Sequence, residues 1–276
     1  RKAILKKSNA DYVKKPLGHG YKELMIPPSD SGDFQIEAHA LHVWPRGEFM
    51  LIALPNMDKS FTCTLFFPTE GKRSFKSLRT PELVTEFFHT YFEDVLPLVE
   101  NLPNAFFDNP TGKLGTVYTD EWQYNNRYCL IGDAAHAVVP FFGQGMNASF
   151  EDCEVLMQCL DEAQGNWEGV CKKYSSVRKA DGDAIAKMAI ENYVEMRDLV
   201  TRKEFIQQKE IANILMERFP DRFIPRYNMV SFTSIPYSEV YRRSAIQKEI
   251  ISKLDLKKPD ITAAESMVKE KLSPLV

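Results

Sequence analysis

The chain holds no apolar run near the roughly 18–20 residues that cross a bilayer, and its end from Lys257 onward is charged and broken by Pro259 and Pro274. It carries no excess of one charge: the net value of −3 gives no general attraction for nucleic acid or anionic membranes. Cysteine is scarce and odd in number. Cys63, Cys129, Cys153, Cys159 and Cys171 form no CxxC pair or other metal spacing, which reads as reduced thiols in a cytoplasmic protein with no metal. Ser, His and Asp assemble no nucleophile motif, and there is no repeat or low-complexity stretch. The chain opens on Arg1 in a basic stretch without a signal-peptide pattern, so it is expected to be part of a longer protein. These absences turn attention from metal, nucleophile and disulfide chemistry to a globular protein that borrows its chemistry. With 276 residues, 44% of them hydrophobic, one large domain or two modest ones can form.

Two kinds of pattern follow one another. Tyr21–Ile26, Ala40–Trp44, Phe49–Leu54 and Phe61–Phe67 are aliphatic or aromatic runs separated by turn formers such as Pro45-Arg-Gly47 and Pro55-Asn-Met-Asp58. Short connections predict antiparallel neighbours. Alternation puts Ile52 with Leu54, and Thr64 with Phe66, on one sheet face each. Helix is predicted for the opening stretch to about Asn9, for Pro81–Phe92, after Gly145, and through most of the chain from Trp167, including Asp183–Ile211. After Gly145 the apolar face is expected at Phe150, Cys153, Leu156, Met157 and Leu160. Phe219–Tyr227, with two prolines, is expected to bend. The fold class is α+β, a β-rich first part and a helical second part.

The segment Arg127–Asn147 is the most informative. It predicts a short buried strand over Tyr128–Ile131, a stop at Gly132-Asp133, a loop bounded by Pro140, and a glycine-relieved start to a helix. Gly132 allows a turn that a side chain would obstruct. Asp133 can accept hydrogen bonds from sugar-like hydroxyls or cap the next turn. Gly143-Gln-Gly145-Met-Asn-Ala148 matches G-x-G-x-x-A formally, but Pro140 interrupts the strand that should feed the glycine turn, so a literal Rossmann reading is rejected. The helix start still offers unpaired N–H groups and a partial positive charge, suited to the electron-accepting ring of a flavin. The alternative is an ordinary glycine turn before a packed helix. His136 lacks a partner at ligand spacing and is expected to be structural.

Gly132-Asp-Ala-Ala-His136, Pro140 and Gly143-Gln-Gly-Met-Asn147 together resemble the second FAD-binding motif of the single-component FAD-dependent aromatic hydroxylases. The likeness is greatest to the kynurenine-hydroxylating members. It extends to His19-Gly-Tyr-Lys-Glu-Leu24, Leu41-His-Val-Trp-Pro-Arg46, Ile52-Ala-Leu-Pro-Asn56, Ser60-Phe-Thr-Cys-Thr-Leu-Phe66, Asn192-Tyr-Val-Glu-Met-Arg197 and Phe223-Ile-Pro-Arg-Tyr227. The resemblance implies FAD as cofactor, with NADPH, O2 and L-kynurenine as partners. Gly132, Asp133, Pro140, Gly143, Gly145, Met146 and Asn147 would form the FAD site. Asn192 and Tyr227 would bind the amino-acid part of kynurenine. Ile52, Leu54, Phe66, Pro140, Phe141 and Met196 would enclose its ring, with Glu195 nearby. No side chain is assigned as catalytic, because the cofactor carries the chemistry.

The family's N-terminal Rossmann unit has no counterpart here, so the chain resembles the C-terminal two-thirds of such an enzyme. The implied division is a mainly β substrate lobe over 1–125, the remaining FAD-binding segment over 126–165 and a helical lobe over 166–276. Another FAD-dependent aromatic hydroxylase and a non-catalytic binding module stay open as alternatives.

Overall fold

A computed structural model describes residues 2–8 and 11–275. The basic opening stretch forms α1 (Lys2–Lys7), which buries Ile4, while Arg1 and Asn9 lie outside the described residues. There follow β1 (Tyr12–Ile26), β2 (His42–Pro45), β3 (Met50–Pro55), β4 (Phe61–Pro68), α2 (Pro81–Tyr91), α3 (Leu102–Asp108) and β5 (Gly112–Thr119). These strands make one sheet in the order β2-β3-β4-β1-β5; the β2–β3 and β3–β4 pairs are antiparallel, as the short connections predict, whereas β1 pairs antiparallel with β4 and not with β2, its neighbour in sequence. Three of these elements go beyond the sequence prediction: α3, β5 and the first half of β1. The first half of β1 is exposed and interrupted by Pro16 and Gly18, so it has no alternation to detect. β5 has glycine at two of its eight positions, which weakens any strand signal.

The register fixes what each face does. Leu24 lies opposite Cys63, and Ala53 opposite Cys63 on the other side. With Leu51, Leu65 and Phe67 they form a dry layer under Val84, Phe87, Phe88, Leu102 and Phe106 of the two helices. Thr80 caps α2 through Leu83 N–H and Pro81 opens it, so the helix starts where its buried stripe begins. On the opposite face Ile52 pairs with Thr64, Met50 with Phe66 and Leu54 with Thr62, so Ile52, Leu54, Thr64 and Phe66 share one surface.

The rest of the chain is helix-rich: a hairpin of β6 (Gln123–Tyr124) and β7 (Tyr128–Cys129), then α4 (Asp133–His136), α5 (Gly145–Glu162), α6 (Val170–Arg197), α7 (Lys203–Arg218), α8 (Arg226–Phe232), α9 (Tyr237–Ser252) and α10 (Ile261–Lys271). This is the α+β class expected. Two compact units emerge, each assembled from separate stretches. Pro16–Gly115 with Val194–Thr201 form the sheet unit, and the remaining described residues form the helical unit. The sheet unit has the aromatic core just described. Among the described residues, the helical unit has one core around Trp122, Leu130 and Tyr174 and another around Leu215, Phe223, Ile250 and Val268. Among the described residues no helix is long and apolar enough to cross a membrane.

Candidate functional site

The predicted strand over Tyr128–Ile131 is shorter and wetter than expected. It pairs only at Tyr128 and Cys129 with β6, across a turn in which Asn125 and Asn126 take positive φ, and both Tyr128 and Ile131 are exposed. What directs this segment is a set of anchors. Leu130 N–H donates to Trp122 O at 2.7 Å, and Leu130 O accepts from the Tyr174 hydroxyl at 3.1 Å. At Gly132 the backbone has φ +55° and ψ −142°, a region that glycine alone occupies comfortably. A Cβ there would also lie 2.9 Å from Ser149 Oγ. Gly132 is the residue at the cap position of α4, so Asp133 is its first helical residue rather than its cap, and it is exposed.

Gly132 N–H donates at 2.8 Å to Asp152 of α5, a carboxylate with 0% exposure. The same oxygen lies 2.6 Å from His136 Nε2, and the other accepts from Arg178 Nε at 2.9 Å. Arg178, buried on α6, also reaches Glu151 and Asp181 and donates to Ala148 O. Burial alone would raise the Asp152 pKa. The bonds from His136, Gly132 and Arg178 together outweigh it and hold the carboxyl below the usual carboxylate range. His136 also stacks on Trp122, with centroids 5.0 Å apart. It is structural, as expected, but it has the partner that local spacing could not show.

This network decides which side of α5 is buried. Ala148, Asp152 and Cys159 face inward, while Phe150, Cys153 and Met157, placed on the inner stripe by apolar periodicity, are exposed. The expectation holds for Leu156 and Leu160, which pack against the core around Trp122 and Tyr174, and fails for the other three, because the salt-bridged Asp152 carboxylate takes an inward position. An acid at the fourth position after Ala148 is the only hint of it in the sequence.

Between α4 and α5, Pro140–Phe142 make one tight turn closed by Gly143 N–H to Pro140 O at 2.8 Å. Gly143 takes φ +67°, and a Cβ on it would meet nothing within 4 Å, so its need is conformational. Gln144 sits at the cap position of α5 without capping it. Its buried side chain accepts from Tyr237 of α9 at 3.1 Å and from Asn147 at 3.0 Å. The first turn of α5 therefore holds no acid and no side-chain cap, and Met146 and Asn147 are exposed there. Gly145, Met146 and Asn147 present N–H groups that the helix cannot satisfy internally.

The substrate residues named by resemblance fall in two groups. In the helical unit Asn192 is buried and donates to Phe141 O at 2.8 Å, Phe141 stacks on Tyr193 at 4.0 Å, and half-exposed Tyr227 stacks on Phe142 at 6.0 Å. Asn192 and Tyr227, 35 positions apart in the numbering, thus converge on the turn that starts at Pro140. In the sheet unit Leu54 is exposed, Ile52 half-buried and Phe66 buried on their common face. Glu195 and Met196 belong to this unit too. The next residue, Arg197, accepts from Gly47 N–H at 2.8 Å and donates to Glu48 O at 3.2 Å, which ties the end of α6 to the β2–β3 turn.

An exposed carboxylate and an uncapped helix start with no acid in its first turn fit a flavin. The former suits its sugar-alcohol chain, the latter the edge of the ring that gains negative charge on reduction. Residues 35–189 match the model of the FAD binding domain family. The chain is 46% identical over its whole length to a kynurenine 3-monooxygenase of Myxococcus xanthus, and 42% identical over 99% of its length to one of Dictyostelium discoideum. It spans 60% and 64% of those two proteins. Among solved structures it is similar to a 2-methyl-3-hydroxypyridine-5-carboxylic acid oxygenase, with a TM-score of 0.56 at 18% identity over 71% of this chain and 50% of the other. Klebsiella pneumoniae HpxO, complexed with FAD and uric acid, gives 0.52 at 12% over 94% and 55%. These two likenesses concern the fold. With more than half its length on the family model and the turn that carries the flavin pattern inside it, the chain belongs to the FAD-binding domain family of flavoproteins.

Proposed function

We propose that this chain works within an FAD-dependent monooxygenase that hydroxylates L-kynurenine to 3-hydroxykynurenine with NADPH and O2. The observation that carries the reading is the Gly132–Asn147 turn, with its exposed acid and open helix start, in a chain 46% identical end to end to a kynurenine 3-monooxygenase. Bound FAD supplies electron transfer from NADPH and the activation of oxygen. Asp133 holds the hydroxyls of the ribityl chain. The N–H groups of Gly145, Met146 and Asn147 favour negative charge on the flavin ring. Gly132, Pro140 and Gly143 shape the backbone so that the ring can approach. Asn192 and Tyr227 hold the amino-acid end of the substrate. Phe141 and Pro140, beside them in the helical unit, present apolar surface to its ring and exclude water.

The test is NADPH oxidation by this chain, and by any longer natural polypeptide containing it, after loading with FAD. L-kynurenine should stimulate oxidation and yield a product heavier by one oxygen. Stimulation by a different aromatic acid, with no response to L-kynurenine, would replace the substrate and keep the flavin. Absence of flavin binding in both polypeptides would sink the reading altogether.

A further inference from the structure

We propose that Asp152 is a positioning residue: clamped by Arg178 and His136, it fixes the Gly132 turn so that the Asp133 carboxylate meets the hydroxyl-bearing chain of the flavin. The inference rests on the flavin reading above and deepens it. Asp152 has 0% exposure and Arg178 only 3%, so neither can touch a ligand itself. The bond nearest Asp133 is Gly132 N–H to Asp152 at 2.8 Å, and Gly132 directly precedes Asp133. Gly132 needs such a clamp. Its φ of +55° with ψ of −142° is a shallow choice for a free glycine, and the direction of Asp133 depends on it.

The clamp is braced from several sides. Arg178 Nε donates to Asp152 at 2.9 Å and its fork continues to Asp181 at 3.3 Å, while Asp181 accepts from Ser238 N–H at 2.9 Å. The Gly132 turn is thereby referenced to α5, to α6 and to the start of α9. His136, one turn beyond Asp133, returns to the same carboxylate at 2.6 Å, so both ends of α4 are pinned to one atom. An apolar packing of equal volume would leave Gly132 N–H unpaired and would set no angle. Outer partners that orient ligand-touching groups in this way usually matter about as much as the groups they hold.

The experiment separates positioning from mere folding by using two probes, riboflavin and lumiflavin. The second has the same ring and lacks the ribityl hydroxyls. In Asp152→Asn one oxygen becomes an amide donor, so either Gly132 or Arg178 loses its acceptor. Riboflavin affinity, followed by fluorescence quenching, should fall roughly tenfold, equivalent to one oriented hydrogen bond, with lumiflavin affinity unchanged. In an Asp133→Ala background the same substitution should cost nothing further, because the group it positions is gone. Equal losses for both probes, or full additivity with Asp133→Ala, would overturn the proposal and leave Asp152 a fold-stabilising residue. Should circular dichroism show Asp152→Asn unfolded, Arg178→Lys, which keeps the charge and loses the fork, takes its place in the same cycle, and the same two results support or overturn the proposal. A wild-type chain that binds neither probe would overturn the flavin reading and this inference with it, an outcome distinct from selective failure of the variants.

Discussion

In the sheet unit the interior is a ring cluster. Phe49 meets Phe67 at 5.0 Å and Tyr91 at 5.2 Å, both edge-on, and Phe87 meets Phe67 at 4.8 Å. Beneath the Gly132 turn of the helical unit the interior is charged instead, with Asp152, Arg178, Asp181 and His136 all buried and bonded to one another or to backbone. The first solution gains from area removed from water and tolerates small shifts of each ring. The second gains little net stability, because removing charges from water offsets their attraction, but it holds one geometry. On the proposed reading, the region that must hold Asp133 in one direction has the charged interior.

The largest expected effect comes from breaking the apolar side. Phe49 is fully buried among four aromatic neighbours, so Phe49→Ala should cost about 3–5 kcal/mol in chemical denaturation. Flavin binding, if measured on whatever folded fraction remains, should have unaltered affinity. A loss of affinity per folded molecule would mean the two interiors are not separate in function.

Breaking the charged side should cost about as much or slightly less and carry a different signature. Arg178→Met leaves the Asp152 carboxylate buried with fewer partners, a loss of roughly 3 kcal/mol near neutral pH. The pH dependence follows in sign. The folded carboxyl lies below its ordinary value, so its contribution is complete above about pH 4 and is lost as pH falls toward the folded value. Wild type should therefore lose stability below about pH 4 more steeply than Arg178→Met, and the two should converge in acid. Parallel curves would show that the guanidinium does not hold the carboxylate down.

A gentler probe adds one methyl group. Gly182 lies on α6 where a Cβ would come 2.6 Å from Trp122 Cη2 and 3.2 Å from His136 Cδ2. Trp122 is 1% exposed and cannot retreat freely. Gly182→Ala should destabilise by about 1–3 kcal/mol through overpacking. Because Trp122 stacks on His136, which the added methyl also approaches, riboflavin binding should weaken more than lumiflavin binding, in keeping with the clamp.

How far these regions are legible in the sequence differs for the same physical reason. Strands β2, β3 and β4 and helix α2 are legible because apolar burial leaves a period in the sequence. The shared faces of Ile52 with Leu54, and of Thr64 with Phe66, follow from alternation alone, whereas the strand register puts the two pairs on one surface. The Gly132-Asp133 stop, the turn at Pro140 and the start of α5 at Gly145 are also legible, from residues with restricted or unusual backbone freedom. The buried network is not. Asp152 lies 16 positions after His136 and 26 before Arg178, and no local period links them. Reading α5 by apolar spacing finds Leu156 and Leu160 at the core but misplaces Phe150, which is 65% exposed while an acid is buried. Likewise the interleaving of the two units depends on which segments return to the sheet, which composition does not encode.

The smallest expected effect tests whether burial, rather than a lowered pKa, is what makes Asp152 matter. Glu249 resembles it in one respect: hydrogen bonds from Lys253 and Lys271 hold its carboxyl down at about 2. The bonds are short, 2.7 and 2.6 Å, and the second joins α9 to α10. Yet the carboxylate lies at the surface, where water and salt compete for it and both lysines lose rotamer freedom to reach it. Glu249→Gln should therefore leave the melting temperature within about 2 °C of wild type at physiological ionic strength. Raising the salt should narrow even that gap. If Glu249→Gln instead matched Arg178→Met, the number of ion pairs rather than their burial would be setting stability, and the contrast between the two interiors would lose its basis.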